Sequence, residues 1–513
     1  MSPSEPHHVH RRTLLRGAAF TAAGAAVTPL LRATPAAAAS TSGEYVIRFD
    51  QGPKQTILGL GFEIQSDSIG SGNNGLPENV SGVPYDLTPS ERTRFYQEML
   101  KGGRSDRGFR YCRLAMGLYY RGLSDDKKRL KGRYPGQTAL LADMISQAGI
   151  EGISAEYWSP ATYWKTTGAF VGGTLTAFDD VKLNALGDAM VADLTYLTSY
   201  GVPISAWGLQ NEPNYGDRMY SCCYYEPQNY LKAFKRIAPK IRANFPHVQI
   251  HADSLDGAIG LRGQLLRADP EALKYVDAWT YHRIGSNSED ARTSDYYSLA
   301  GKSSYADAND SQKDQNGNRL VYNNEFEYLV AGPSSDKPPA YKCVNTAQSI
   351  MNWMTFQNAR TWYWLHALKP IANSEATGYA LGYWRPPSDT DFSRFPDLQA
   401  GHWTWNPQNW NGVAGFVRYM PWDSVRYGVD EAAVSPDHRI MAWKTPGGKP
   451  VFALTNRSAD TPYTYTIDSQ TAATFQGYRF GLTTTNEHLG AKAGPTLTIT
   501  VPPSSIEFWI RNY

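Results

Sequence analysis

Between about residues 55 and 370, short runs rich in β-branched and aromatic residues alternate with longer amphipathic stretches. This pattern predicts parallel strands joined by crossover helices. Eight runs read as strands: TILGLGFEIQ (56–65), FRYCRLAMG (109–117), GISAEYW (152–158), VPISAWGLQ (202–210), VQIHAD (248–253), VDAWTYH (276–282), RLVYNNEFEY (319–328) and RTWYWLHAL (360–368). Between the third and fourth, Leu183, Leu186, Met190, Leu194 and Leu197 form one helical stripe, with Asp179 or Asp180 as N-cap and Gly201 at the far end. Eight such alternations predict an α/β chain built on a (β/α)8 TIM barrel rather than an open doubly wound sheet.

After about residue 420 the texture changes to short alternating strands with turn signals, as in RIMAWKTPGGKPVFALTNRS and LTITVPPSSIEFWIRNY. This predicts a C-terminal antiparallel β-sandwich side domain over 421–513. The run EYVIRFDQ, in the segment 40–55, is placed to add an N-terminal strand to that sandwich, which leaves 56–420 for the barrel. A chain of 513 residues is long enough for both. Without low-complexity linkers or charge blocks, the two are expected to pack closely.

Residues 1–39 read as an address. HRRTLLRG, with Arg11 and Arg12, precedes an alanine-rich apolar stretch that ends at Ala37-Ala38-Ala39, a small-residue cleavage signal. The segment resembles a bacterial twin-arginine export signal and implies a secreted protein. Of the four cysteines, Cys112 is expected to be buried and inert, and Cys222 or Cys223 to supply one loop disulfide. Their spacing suits neither zinc nor a redox CxxC, so no metal is expected.

A net charge of +2 argues against nucleic acid or an anionic membrane as partner. Aromatic residues at 13%, with 33 Tyr and 14 Trp, exceed what a core needs and suit surfaces that stack on sugar rings. The expected partner is a polysaccharide or oligosaccharide, bound by a monomer without cofactor. There is no G-x-S-x-G elbow and no P-loop, which argues against serine-hydrolase and nucleotide readings. The stretch DANDSQKDQNGN (307–318) lacks the EF-hand register and reads as a solvated loop.

In a TIM barrel the chemistry sits at the C-terminal ends of the strands. Glu212, between Asn211 and Pro213, ends the fourth strand, and Glu325 and Glu327 end the seventh. Period-two alternation puts the latter two on one side, so spacing leaves both open as partner to Glu212. Two carboxyls across a barrel mouth are what glycoside hydrolysis needs, one as acid and one as nucleophile or base. The carboxyl separation distinguishes retention from inversion. Tyr281 and His282 in TYHRIG are placed to donate to the nucleophile, and Trp158 and Trp364 to support a pyranose ring, Trp364 foremost.

The Asn-Glu-Pro ending strand four and the glutamate ending strand seven resemble the clan of retaining (β/α)8 glycosidases. With GLGFEIQSDS, YWSPATYWK and GFVRYMPWDSVRYGV, the chain looks most like glycoside hydrolase family 30. The resemblance implies a barrel with a β-sandwich partly built from the N-terminus. It implies Glu212 as acid/base, with its pKa raised, and Glu325 as nucleophile, because YNNE matches the family's aromatic-x-x-Glu. It further implies Asn211 as reader of the sugar 2-hydroxyl and Arg113 as orienter of the nucleophile. Where the family often has GFGG after strand one, this chain has Gly61-Phe62-Glu63-Ile64, which puts Glu63 near the rim as a further substrate contact. The implied activity is a secreted retaining β-glycosidase, with β-1,6-galactan or β-1,6-glucan as leading substrate. The alternative is a binding protein that keeps the barrel without the chemistry.

Overall fold

A computed structural model describes residues 41–64, 87–103, 107–134, 136–292, 319–328, 336–371, 376–387, 389–432 and 434–512. The export-signal segment 1–39 and the loop 307–318 lie outside them.

The eight apolar runs form one closed parallel sheet. Its strands are Gly59–Ile64, Tyr111–Met116, Gly152–Tyr157, Ile204–Gly208, Gln249–Leu255, Ala278–His282, Leu320–Phe326 and Thr361–Pro370, each beside its neighbour in sequence. Pairing of the seventh with the eighth, and of the eighth with the first, closes the ring into a TIM barrel. The helix after the third strand spans Asp180–Ser199; Asp179 caps it by accepting from the Lys182 amide at 2.9 Å, and the leucine–methionine stripe is buried.

The run expected as one strand over 56–65 is two. Gln55–Ile57 pairs antiparallel with Ser424–Tyr427 in a second sheet, and only Gly59–Ile64 enters the barrel. The switch occurs around Gly59, at φ +135°, where a Cβ would also press on Trp422 and Arg110. Apolar content alone could not show that hinge, because both halves are buried.

The side domain is a sandwich of two sheets. One holds Val429–Glu431, Ser42–Ile47, Tyr463–Asp468 and Thr496–Val501; the other is a seven-stranded sheet running from Gln55–Ile57 to Thr484–Ala493. Tyr45, Ile47, Phe452, Leu454, Tyr465, Phe475 and Trp509 pack between them. The expected loop disulfide is absent: Cys112, Cys222, Cys223 and Cys343 are all free and buried. No described helix is long and apolar enough to cross a membrane.

Candidate active site

Strand four stops because its backbone turns. Glu212 adopts φ +43°, a left-handed conformation that a glutamate seldom takes without a surrounding structure to impose it. The Asn211 amide is tied to the Tyr157 carbonyl at 2.7 Å, and the Tyr215 amide returns to the Glu212 carbonyl at 3.0 Å. The carboxylate is thereby turned into the barrel mouth, 9% exposed. Just below, Gly208 is required because the His251 ring crosses where its Cβ would stand.

Arg113, fully buried on the second strand, organises the floor. Its Nε donates to Glu156 Oε2 at 2.6 Å, and its Nη2 to Asn211 Oδ1 at 2.6 Å. Its Nη1 donates to both Glu63 Oε2 and Glu325 Oε2. The Trp158 ring lies under the guanidinium, 4.4 Å from the centroid to Cζ. His282 bridges the two expected catalytic carboxyls, with Nδ1 3.1 Å from Glu212 Oε1 and Nε2 3.6 Å from Glu325 Oε2. One ligand-type atom from each of Glu212, His282 and Glu325 falls within 4.8 Å of the others. Among the described residues this is the one such grouping with the atoms to hold a metal ion; its chemistry equally suits proton transfer.

Burial pushes the Glu212 carboxyl up, but hydrogen bonds from His282 and from the Tyr220 hydroxyl, at 2.9 Å, and the field of Arg113 bring it below the ordinary range. This corrects the expectation of a raised Glu212. His282 moves the opposite way: burial depresses it, and the facing Glu325 and Glu212 more than compensate. Both shifts favour a proton on the His282 imidazole over one on Glu212.

The two carboxyls of the seventh strand differ in position. Glu325 reaches Arg113 and His282, and its amide donates to Asn323 Oδ1 at 3.1 Å. Glu327 lies past the strand end, buried, and is pushed well up by that burial and by Glu325. Strict alternation fails as a guide because the register shifts on both sides of this strand, between Tyr281/His282 and between Asn323/Phe326.

Four expectations about substrate contacts change. Tyr281 points out of the barrel, packing against Trp353 and the Gly257 backbone, so of the TYH pair only His282 enters the site. Trp364 is fully buried and donates its indole N–H to the Tyr379 carbonyl at 2.9 Å, which leaves no face for a sugar. Trp158, 1% exposed, serves the guanidinium instead. Glu63 sits below the rim on Arg113 with a side chain that is 0% exposed, so it is not a substrate contact. Sequence reasoning missed Glu156, Asn324 and Tyr220. Glu156 carried a signal, being a lone carboxylate at the inward alternation of the apolar strand Gly152–Tyr157; Asn324 Nδ2 donates to it at 3.2 Å. Tyr220 stands in an aperiodic loop and carried none.

No protein-family model matches the sequence, and no curated protein does either. Solved structures match along nearly the whole chain. A glycoside hydrolase family 30 subfamily 8 xylanase from Clostridium acetobutylicum superposes with a TM-score of 0.62 at 16% identity, covering 92% of this chain and 100% of its own. An endo-β-1,6-glucanase does so with 0.63 at 15%, covering 93% and 96%. A family 51 arabinofuranosidase from Xanthomonas axonopodis pv. citri reaches 0.59 at 12%, covering 92% and 100%. Identities this low speak to architecture. The chain shares with these glycosidases one fold, a (β/α)8 barrel carrying a β-sandwich side domain.

Proposed function

We propose that this protein is a retaining β-glycoside hydrolase of the family 30 type, with Glu325 as nucleophile and Glu212 as acid/base. The observation that carries the reading is the closeness of two carboxyls across the barrel mouth, with atoms of Glu212 and Glu325 inside a 4.8 Å grouping. Double displacement needs about 5–5.5 Å between the carboxyls, whereas inversion needs about 6.5–9.5 Å to admit a water.

Glu325 attacks the anomeric carbon while Glu212 gives a proton to the departing glycosidic oxygen. The proton reaches Glu212 from His282 Nδ1 as a bound sugar removes water from the carboxylate and raises its basicity. Arg113 Nη1 and His282 Nε2 hold Glu325 in place until it forms the ester. Glu212, now a base, takes a proton from the water that opens that ester. Asn211, with Oδ1 held by Arg113, has its Nδ2 group left to meet the sugar 2-hydroxyl.

The leading substrate is a β-1,6-galactan or β-1,6-glucan, supported by the endo-β-1,6-glucanase among the structural neighbours. Action outside the cell follows from the export-type segment 1–39. The test is sugar release from a panel of β-linked polysaccharides and aryl β-glycosides by wild type, Glu212→Gln and Glu325→Gln, with the anomer of the first product read by NMR. Retention, with turnover lost in both variants, is expected. A folded wild type inert on the whole panel leaves only a carbohydrate-binding barrel; an inverted first product removes the nucleophile role.

A further inference from the structure

Arg113 is asked to satisfy more carboxyl groups than it has charge. Glu63, Glu156 and Glu325, from the first, third and seventh strands, all accept from one guanidinium, with side-chain exposures of 0%, 0% and 6%. Two of them, Glu63 and Glu325, divide the hydrogens of a single nitrogen, Nη1. Carboxyls brought this close to one atom do not both ionise, because the second charge meets the first in a poorly solvated space.

The contacts decide which one gives way. Glu156 has further support: Asn324 Nδ2 at 3.2 Å and the His251 ring at 3.9 Å. Glu325 has His282 and a path to the barrel mouth. Among the described residues Glu63 has Arg113 alone; its Oε1, like Glu156 Oε1, is buried with no hydrogen-bond partner, but Glu156 Oε1 has the His251 ring beside it and Glu63 Oε1 has no such cation. The groups facing it are Arg113, Glu156, Glu325 and Glu327, with His366 as its register partner on the eighth strand.

We propose that Glu63 is a positioning residue for Glu325: a carboxyl that holds a proton and shares Arg113 Nη1 with the nucleophile, fixing the guanidinium without adding a second charge beside the reacting oxygen. The kinetic consequences rest on the glycosidase reading above; the protonation state does not. The direction of the Glu63 pKa agrees, since burial lifts it well above the ordinary glutamate value against the opposing pull of Arg113. A neutral acid accepts from Arg113 less strongly than a carboxylate, so Glu325 keeps the better share of the guanidinium. Full possession of Arg113 by Glu325 would make the nucleophile too weakly basic, and an ionised Glu63 would raise the pH at which Glu325 becomes available.

Two measurements test this. Carbon-13 NMR of the carboxyls in the free enzyme, comparing wild type with Glu63→Gln, is expected to show one resonance that stays protonated through neutral pH in wild type and is missing from the variant. If the missing resonance is that of a carboxylate at neutral pH, the proposal is overturned whether or not any β-glycoside is cleaved. The second measurement is the pH profile of kcat and kcat/KM. Glu63→Gln keeps a neutral acceptor, so its acid limb should stay within about 0.3 of wild type while kcat falls about two- to fivefold. Glu63→Leu surrenders Nη1 to Glu325, so its acid limb should move down by about one unit and kcat should fall about tenfold or more at nearly constant KM. An acid limb that drops by a unit in Glu63→Gln means that an anion was removed, which sinks the idea. So does a Glu63→Leu enzyme with wild-type kcat. Should Glu63→Leu fail to fold, Glu63→Gln and the NMR titration still decide.

Discussion

Two fully buried arginines in this protein lead opposite lives. Arg439, in the sandwich strand His438–Lys444, donates to Glu431 at 2.6 Å and to Asn352 Oδ1 at 3.0 Å on the barrel helix Pro339–Phe356. Its salt bridge with Glu431 sets one charge against one, with both side chains buried. Arg113 at the barrel mouth faces three carboxyl groups with that same single charge. A balanced buried pair fixes one arrangement and carries little chemistry. An unbalanced one forces protons onto neighbouring groups, here His282 by its raised pKa and Glu327 by its own, and makes the site responsive to anything that changes one charge.

The largest effect expected from that contrast is at Glu325. Replacing it by Gln should lower kcat on a cleaved β-glycoside by about three orders of magnitude or more, because the attacking charge is gone. The same change relieves crowding on Arg113, so the melting temperature should hold or rise. A variant that loses both activity and several degrees of melting temperature would mean that the mouth is a stabilising network after all.

Arg439→Met should do the reverse. It removes the guanidinium facing the Glu431 side chain, which is 2% exposed, a loss of about 3–5 kcal/mol in chemical denaturation, while kcat of the remaining folded enzyme stays near wild type. Adding Glu431→Gln should restore part of the stability, since the stranded charge and not the lost contact dominates. Equal stability losses in Arg439→Met and Arg113→Met would erase the distinction between the two arginines.

How much of this was legible in the sequence follows the same division. The barrel, its eight strands and the helix Asp180–Ser199 could be read because burial imposes periodicity on them. Glu212, Glu325, Asn211 and His282 could be brought together because they stand at or just beyond strand ends, and Arg113 because it is a lone charge inside an apolar strand. Side-chain direction could not: Tyr281 against His282, and Glu325 against Glu327, depend on register shifts that hydrophobic patterning does not record. Nor could the fate of Trp364 and Trp158, since an indole at a strand end reads the same whether it meets a sugar, a guanidinium or the core. The protonation of Glu212 was misread because its tuning comes from Tyr220 and His282, which are eight and seventy residues away.

Stability against pH should report the His282–Glu212 pair with two signs. His282, raised in the folded state, contributes stability that is complete below the ordinary histidine value of 6.5 and is lost as pH rises through its folded value. Glu212, lowered, contributes above the ordinary glutamate value of 4.5 and loses that contribution as pH falls through its folded value. Their joint contribution is therefore greatest between about 4.5 and 6.5. Denaturant midpoints for wild type and His282→Asn should differ most in that window. A difference that is flat from acid to alkaline pH would show that the imidazole is neutral throughout.

The smallest effect, and the finest probe of the unbalanced mouth, is Tyr220→Phe. The Tyr220 hydroxyl donates to Glu212 Oε2 at 2.9 Å from a ring that is 38% exposed, so its loss leaves the packing nearly intact. A donor to a carboxylate favours the charged form; removing it raises the Glu212 pKa. The alkaline limb of kcat should therefore move up, by about half a unit, because in the sugar complex Glu212 keeps the proton received from His282 to higher pH. Turnover should change by no more than about two- to fivefold, since one hydrogen bond to a charged group is worth about 1.5–3 kcal/mol before water at the mouth replaces part of it. A limb that moves down would mean that Tyr220 was holding the proton-bearing form of Glu212, and a limb that stays in place would mean that His282 alone sets it. In a balanced site such as that of Arg439 the loss of one donor would register as stability; here it should register as a shift in the pH at which the acid works.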